Sequence, residues 1–197
     1  MNWYPEPKPV PASLETEDLQ LEMLAPEHVD LDYDALMSSR ERLMRWSGGR
    51  WPHADFTRAE NLDDMVMHRD EILAREAFTY TVLNRARDRC EGCVYIYPLA
   101  RTEEEAGRLP AGLPASTARV TWWVRDDALP RDLDRQFLAG LVDWFRSSWE
   151  FDAVTFLTRV DNDRDIALLE DNGLERVATV QDKNGPGEFA LFRLPLA

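Results

Sequence analysis

Arg119-Val120-Thr121-Trp122-Trp123-Val124, then Leu133, Phe137, Leu141, Trp144 and Phe145 at spacings of three and four, then Ala153-Val154-Thr155-Phe156-Leu157-Thr158: the stretch from 119 to 158 decides the fold. Its two flanking runs are β-branched and aromatic, the composition of buried strands. The five apolar residues between them fall on one face of a helix, and that face must be buried. A strand, an amphipathic helix and a second strand therefore follow one another.

Upstream, Leu19, Leu21 and Met23 alternate with Asp18, Gln20 and Glu22, the period of two expected of a strand. Pro26-Glu27-His28 opens a segment, 28–47, in which Leu31, Ala35, Leu36, Leu43 and Met44 predict one or two helices. Ser47-Gly48-Gly49-Arg50-Trp51-Pro52 breaks the pattern, and a further helix is expected over about 61–76. Phe78–Leu83 and Cys93–Tyr97 read as a hairpin across the charged segment 84–91, followed by a loop with Gly107, Pro110, Gly112 and Pro114. Downstream, 163–172 reads as a short helix closed by Asn172-Gly173, with strands at 175–180 and 189–194. Residues 1–13, with prolines at 5, 7, 9 and 11, read as an extended arm lying over the domain or fraying from it. The rest, 14–197, reads as a single domain.

With 37 acidic residues against 23 basic ones the formal charge is −14, which argues against a nucleic-acid surface and favours an amine-bearing or basic partner. No run approaches the roughly 18 apolar residues of a membrane span, and the N-terminus lacks a basic region followed by an apolar one, so a cytoplasmic protein is expected. Cys90 and Cys93 form the string CEGC, but it runs into a strand pattern rather than a helix start, and an offset of three sends strand side chains to opposite faces. Ordinary reduced thiols are expected; no second CxxC or His pair supports a metal.

The order β, α, α, three strands, α, β, α, two strands resembles the GCN5-related N-acetyltransferase (GNAT) superfamily, and within it the subgroup that modifies ribosomal-protein N-termini. Leu14-Glu15-Thr16-Glu17-Asp18-Leu19-Gln20-Leu21 looks like that subgroup's opening string, and Asn162 with Gly173-Leu174 eleven residues on looks like its closing motif. The resemblance covers nearly all of 14–194. It implies an α+β fold with a mixed, largely antiparallel sheet of six to seven strands flanked by about four helices, and transfer of an acetyl group from acetyl-CoA to an amine by direct attack in a ternary complex. It further implies that acetyl-CoA lies where strands 119–124 and 153–158 splay apart. Backbone at Trp122, Trp123 and Val124 would pair with the pantetheine, and Arg125, Arg131, Asp132 and Asn162 would border the cofactor. The implied acceptor is a small-molecule or peptide amine; a homodimer is open to it.

Two departures from the family pattern support a rival reading, a non-catalytic binding protein of the same fold. Pro130 and Asp132 replace two glycines of the pyrophosphate loop, removing one N–H donor and adding a negative charge. As the residue before an apolar-periodic run, Asp132 is also expected to cap the next helix and take the N–H bonds a phosphate would use. Leu169 stands where many family members carry a tyrosine that protonates the thiolate. The catalytic candidates are Tyr95, with Tyr97 beside it, and His53 on the loop after Trp51; Trp46 and Trp51 are candidates for a pocket wall, and His28 and His68 are expected to face solvent.

Overall fold

Strand β5, Thr117–Val124, lies at the middle of one eight-stranded sheet because its aromatic and β-branched residues find cover on both faces. The computed structural model describes residues 3–102, 109, 112–183 and 185–196; Gly107 and Pro110 of the expected loop lie outside them. The other strands are β1 (Ser13–Glu15), β2 (Leu19–Met23), β3 (Phe78–Asn84), β4 (Cys90–Pro98), β6 (Ala153–Arg159), β7 (Glu175–Gln181) and β8 (Glu188–Leu194). The helices are α1 (Val29–Ser38), α2 (Arg40–Trp46), α3 (Arg58–Ala74), α4 (Leu133–Ser148) and α5 (Asp163–Asp171). The sheet order is β1-β2-β3-β4-β5-β6-β8-β7, antiparallel throughout except for the parallel pair β5–β6 that the α4 crossover requires.

One sheet face packs on α4 and α5 through Phe137, Leu141, Phe145 and Leu169, which meet Val120, Trp122, Phe156 and Phe192. The other carries α1, α2 and α3, where Leu36, Leu43 and Met65 cover Trp123, Leu83 and Cys93. α3 starts on a reciprocal cap in which Thr57 accepts the Glu60 N–H while the Glu60 carboxylate accepts the Thr57 N–H. This is a mixed α+β fold with one strand more than the expected six to seven. The extra strand, β1, has three residues, too few to show an alternation, and forms by pairing with β2. No helix among the described residues is long and apolar enough to cross a membrane.

The expectation that Cys90 and Cys93 face opposite ways is overturned. Val82 pairs with Gly92 but Leu83 pairs with Cys90, so Glu91 is an extra residue in β4, a bulge that restores Cys90 to the face of Cys93. Both thiols are free and buried in the cluster under α1, and burial pushes both well above their ordinary pKa.

The proline arm is part of the core. Tyr4 is 0 % exposed, packs against Phe78, Trp149 and Phe151, and donates its hydroxyl to the Pro9 carbonyl at 2.6 Å. Arg75 ties the arm down by donating to the carbonyls of Tyr4 and Lys8. Removing a buried aromatic ring costs about 3–5 kcal/mol. Tyr4→Ala should lower the unfolding free energy by about that much in urea titration; a loss below about 1 kcal/mol would mean that the arm is not docked in solution.

Candidate active site

β5 and β6 pair from Thr117↔Ala153 to Val120↔Phe156, and no further. Beyond that point Thr121–Val124 pair with β4, and Leu157–Arg159 pair with β8, so each strand keeps its outer neighbour and the two inner edges separate. The gap opens at the C-terminal ends of parallel strands, where backbone groups of β5 have no ladder partner. Arg42, from α2, enters its mouth: the guanidinium donates to the Val124 carbonyl and to the Asp126 carboxylate. Because alternate strand residues direct their N–H and C=O to opposite edges, Trp122 presents its backbone groups to the same gap.

After β5 the chain makes a 3₁₀ turn over Asp126–Arg131 and enters α4 through Asp132, which is left-handed at φ 52°. In that conformation its side chain does not cap α4, contrary to the capping expected of it. Its Oδ1 instead accepts from Arg164 Nη2 at 3.1 Å, and Arg164 also holds the buried Asp134 carboxylate and the Leu129 carbonyl. These bonds, Asp134 first, raise the Arg164 pKa. The α4 start therefore keeps N–H groups that no Asp132 carboxylate covers, although Asp134 Oδ1 accepts the Arg135 N–H at 3.0 Å and negative charge stands beside the rest. On the β6 side, Asp165 is held up to a pKa of about 6 by burial, against the Thr158 hydroxyl that donates to it at 3.2 Å.

A cavity of about 340 Å³ opens under the helical layer of α1–α3 where the strands part. Thr121 of β5 and Leu157, Thr158 and Arg159 of β6 floor it, all just beyond the last β5–β6 pair. Trp46 and Trp51 form a wall, on either side of the Gly48-Gly49 turn. α1 and α3 contribute Asp32, Asn61, Asp64 and His68. Asp32 is 5 % exposed, and burial raises its pKa to about 6, opposed by the hydrogen bond from Asn61 Nδ2 at 2.9 Å and by the nearby His68. Burial raises Asp64 as well. Tyr95 accepts from Trp123 Nε1 at 3.3 Å, and burial pushes its phenol well above the ordinary value.

The Acetyltransferase (GNAT) domain pattern matches residues 18–175, from β2 to the start of β7 and so across both strands of the gap. The chain belongs to this family. The GNAT acetyltransferase fold is also seen in a ribosomal-protein-S5-alanine acetyltransferase from Vibrio fischeri, with a TM-score of 0.73 and 16% identity over 93% of this chain and 96% of that one. It is seen in RimL, a ribosomal L7/L12 alpha-N-protein acetyltransferase solved in complex with coenzyme A, at 0.71 and 12% over 92% and 96%. A third likeness is the microcin C7 self-immunity acetyltransferase MccE, solved with acetyl-CoA and AMP, at 0.72 and 11% over 93% and 96%. No curated protein matches the sequence.

Within this GNAT acetyltransferase the sequence candidates are distributed unevenly. Tyr95, Tyr97, Trp46 and Trp51 all line the cavity. His53 does not: it is exposed, edge-on to Phe56, and 3.3 Å from Glu60. Arg125 is directed to Asp34 of α1 at 2.6 Å, and Arg131 lies 3.5 Å from Glu91. Asn162 accepts the Asp165 N–H and caps α5. Trp123 packs under α1 and Trp122 against Phe156, so what Trp122, Trp123 and Val124 bring to the gap is backbone. His28 and His68, expected at the surface, are both half-buried; His68 sits 3.1 Å from Glu71 and against the Tyr95 ring because α3 turns it inward with Asn61 and Met65. Leu169 is fully buried in the core.

Sequence reasoning missed Asp32, Asn61 and Asp64. Asp32 lies in the run Asp30-Leu31-Asp32-Tyr33-Asp34, which reads as a solvated face, yet it shares its side of α1 with Val29, Ala35 and Leu36. A carboxylate three and four residues from apolar partners on the buried stripe was the available signal.

Proposed function

We propose that this GNAT acetyltransferase seats a primary amine in the cavity, that Asp32 takes one proton from its ammonium form so that the free amine attacks the thioester directly, and that the C–S bond then breaks with the second proton leaving on the thiol. The reaction class comes with the family: an acetyl group moves from acetyl-CoA to an amine. The observation that carries the residue-level reading is a buried carboxylate, with its pKa held near 6, lining a cavity that opens where β5 and β6 part.

The chain fits acetyl-CoA through three features. The β5 edge at Trp122 and the Val124 N–H, which have no ladder partner, can hydrogen-bond an amide-bearing arm, the α4 start, free of an Asp132 cap, can receive phosphate, and Arg42, on the Val124 carbonyl, brings positive charge to the gap mouth. When bound, acetyl-CoA supplies an activated acetyl thioester. Asp32, ionised above pH 6, accepts a proton from the ammonium directly or through water. Tyr95, with its raised pKa, stays a neutral phenol and serves as a hydrogen-bond donor rather than as a base. Asn61 and His68 orient and moderate Asp32. Of the three residues behind the rival, non-catalytic reading, Pro130, Asp132 and Leu169, Asp132 does not occupy the helix start and is turned to Arg164 instead. A peptide amine, as the names of the S5-alanine and L7/L12 enzymes indicate for those proteins, and a small amine are the two acceptor classes within this reading.

The test is thiol release from acetyl-CoA with and without amines. Release that depends on the amine and equals the acetylated product in amount is expected. Release at the same rate without any amine would contradict direct transfer.

A further inference from the structure

The cavity has two walls of opposite charge. On α1 and α3 stand Asp32 and Asp64, close enough to influence one another. Across the floor, Arg50 from the turn after α2 and Arg159 from the end of β6 converge on one carboxylate, Asp182, whose side chain is 0 % exposed. Arg50 Nη1 lies 3.1 Å from Asp182 Oδ2 and Arg159 Nη1 lies 3.6 Å from it. The turn allows this because Gly48 has no side chain. A Cβ there would sit 2.9 Å from Asp182 Oδ2, 3.0 Å from Arg50 Nη1 and 3.1 Å from Arg159 Nη1, and the residue's φ of 72° is one that glycine adopts freely.

The Arg159 guanidinium is only partly used. Its Nε donates to Asp161 and its Nη2 to the Pro186 carbonyl, while Nη1 is buried with no hydrogen-bond acceptor among the described residues. Asp161 is 72% exposed, so water screens its pull. Two arginines, Arg159 nearly buried and Arg50 42% exposed, therefore share one buried carboxylate, and a donor beside the cavity lacks an acceptor among the described residues. A second anion fits there, and a planar carboxylate suits a guanidinium best. Between the two charged walls the lining is apolar and aromatic, with Trp46, Trp51, Met65 and Phe189.

We infer that the acceptor is a small amino-acid-like zwitterion, whose ammonium is received by Asp32 and Asp64, whose carboxylate is received by Arg50 and Arg159, and whose apolar side chain lies between them. This rests on the cavity being the acceptor site. A volume of about 340 Å³ is at the lower end for small-molecule sites. A protein N-terminus has a peptide bond, not a carboxylate, beside its amine and leaves the arginine wall unmatched. A zwitterion carries no net charge, so the overall charge of −14 does not hinder its entry.

The experiment measures kcat/KM for phenylalanine, phenylalaninamide, phenethylamine and a short peptide amide with a free N-terminus, with acetyl-CoA as donor. It compares the native chain with Arg159→Met and Arg159→Lys, each checked for a native thermal transition. Phenylalanine should exceed phenylalaninamide and phenethylamine by about tenfold or more, the worth of one charge-assisted contact. Arg159→Met should shrink that ratio to about twofold, and Arg159→Lys should recover part of it. Equal rates for the acid and the amide, or a preference for the peptide, would overturn the zwitterion while leaving acetyl transfer standing. Turnover of none of the four would overturn the acceptor site itself.

Discussion

Replacing Asp32 with asparagine is expected to lower kcat/KM by about 10²–10³-fold and, at the same time, to stabilise the protein at neutral pH. The two effects have one origin. The Asp32 carboxyl has its pKa raised from 3.8 to about 6 by burial, so the folded chain holds that proton more tightly than the unfolded chain does. Stability from this group is therefore fully present below pH 3.8 and is lost as pH rises to about 6. A difference of 6 − 3.8 corresponds to roughly 3 kcal/mol, an upper figure for the cost of keeping the group ionised at pH 7. Asparagine keeps the shape, still accepts from Asn61 Nδ2, and carries no charge to desolvate. The native rate should fall as pH drops through about 6, and the variant should lose both that limb and the decline in stability between pH 4 and 6. pH–rate profiles beside denaturant melts over the same range would show this. A variant that keeps the native rate would remove Asp32 from the chemistry, whatever its stability.

Asp132→Gly should tighten the binding of CoA by about tenfold. The residue stands at φ 52°, a conformation glycine reaches at no steric cost and an aspartate only at about 1 kcal/mol. Its carboxylate adds negative charge beside the start of α4, where the proposed reading seats a phosphate. Arg164 would keep its bonds to Asp134 and to the Leu129 carbonyl, so the loop should hold its form. An exposed ion pair is worth about 0–1 kcal/mol, which the relief of backbone strain offsets. Titration calorimetry should show the affinity gain with a melting temperature close to native. Unchanged or weaker affinity would place Asp132 away from the phosphates and reopen the reading of the loop.

Periodic, locally decided elements were legible in the sequence. α4 is announced by Leu133, Phe137, Leu141, Trp144 and Phe145, and β5 and β6 by their β-branched and aromatic runs. What depends on distant partners was not. The bulge at Glu91 exists only in the register of β4 against β3, so the common face of Cys90 and Cys93 had no local signal. Tyr4 was hidden in a proline-rich arm, although an aromatic residue there needs cover as much as any other. The parting of β5 and β6 is a property of three strand pairings and came from the family resemblance, not from periodicity. Trp46 and Trp51, expected at a pocket wall, line the cavity, and so does the catalytic candidate Tyr95. His53 was not brought in, because a histidine on a loop is placed by the loop, whereas His68 was brought in by the turn of α3.

Hydrogen exchange of the native chain with and without CoA addresses the gap between β5 and β6 most directly. Binding there should slow exchange at Trp122 and Val124 and at the first turn of α4, Leu133–Gln136, while the strands that are fully paired, β3 and β4, stay as they are. Unaltered exchange at saturating CoA, or protection on another edge of the sheet, would contradict it.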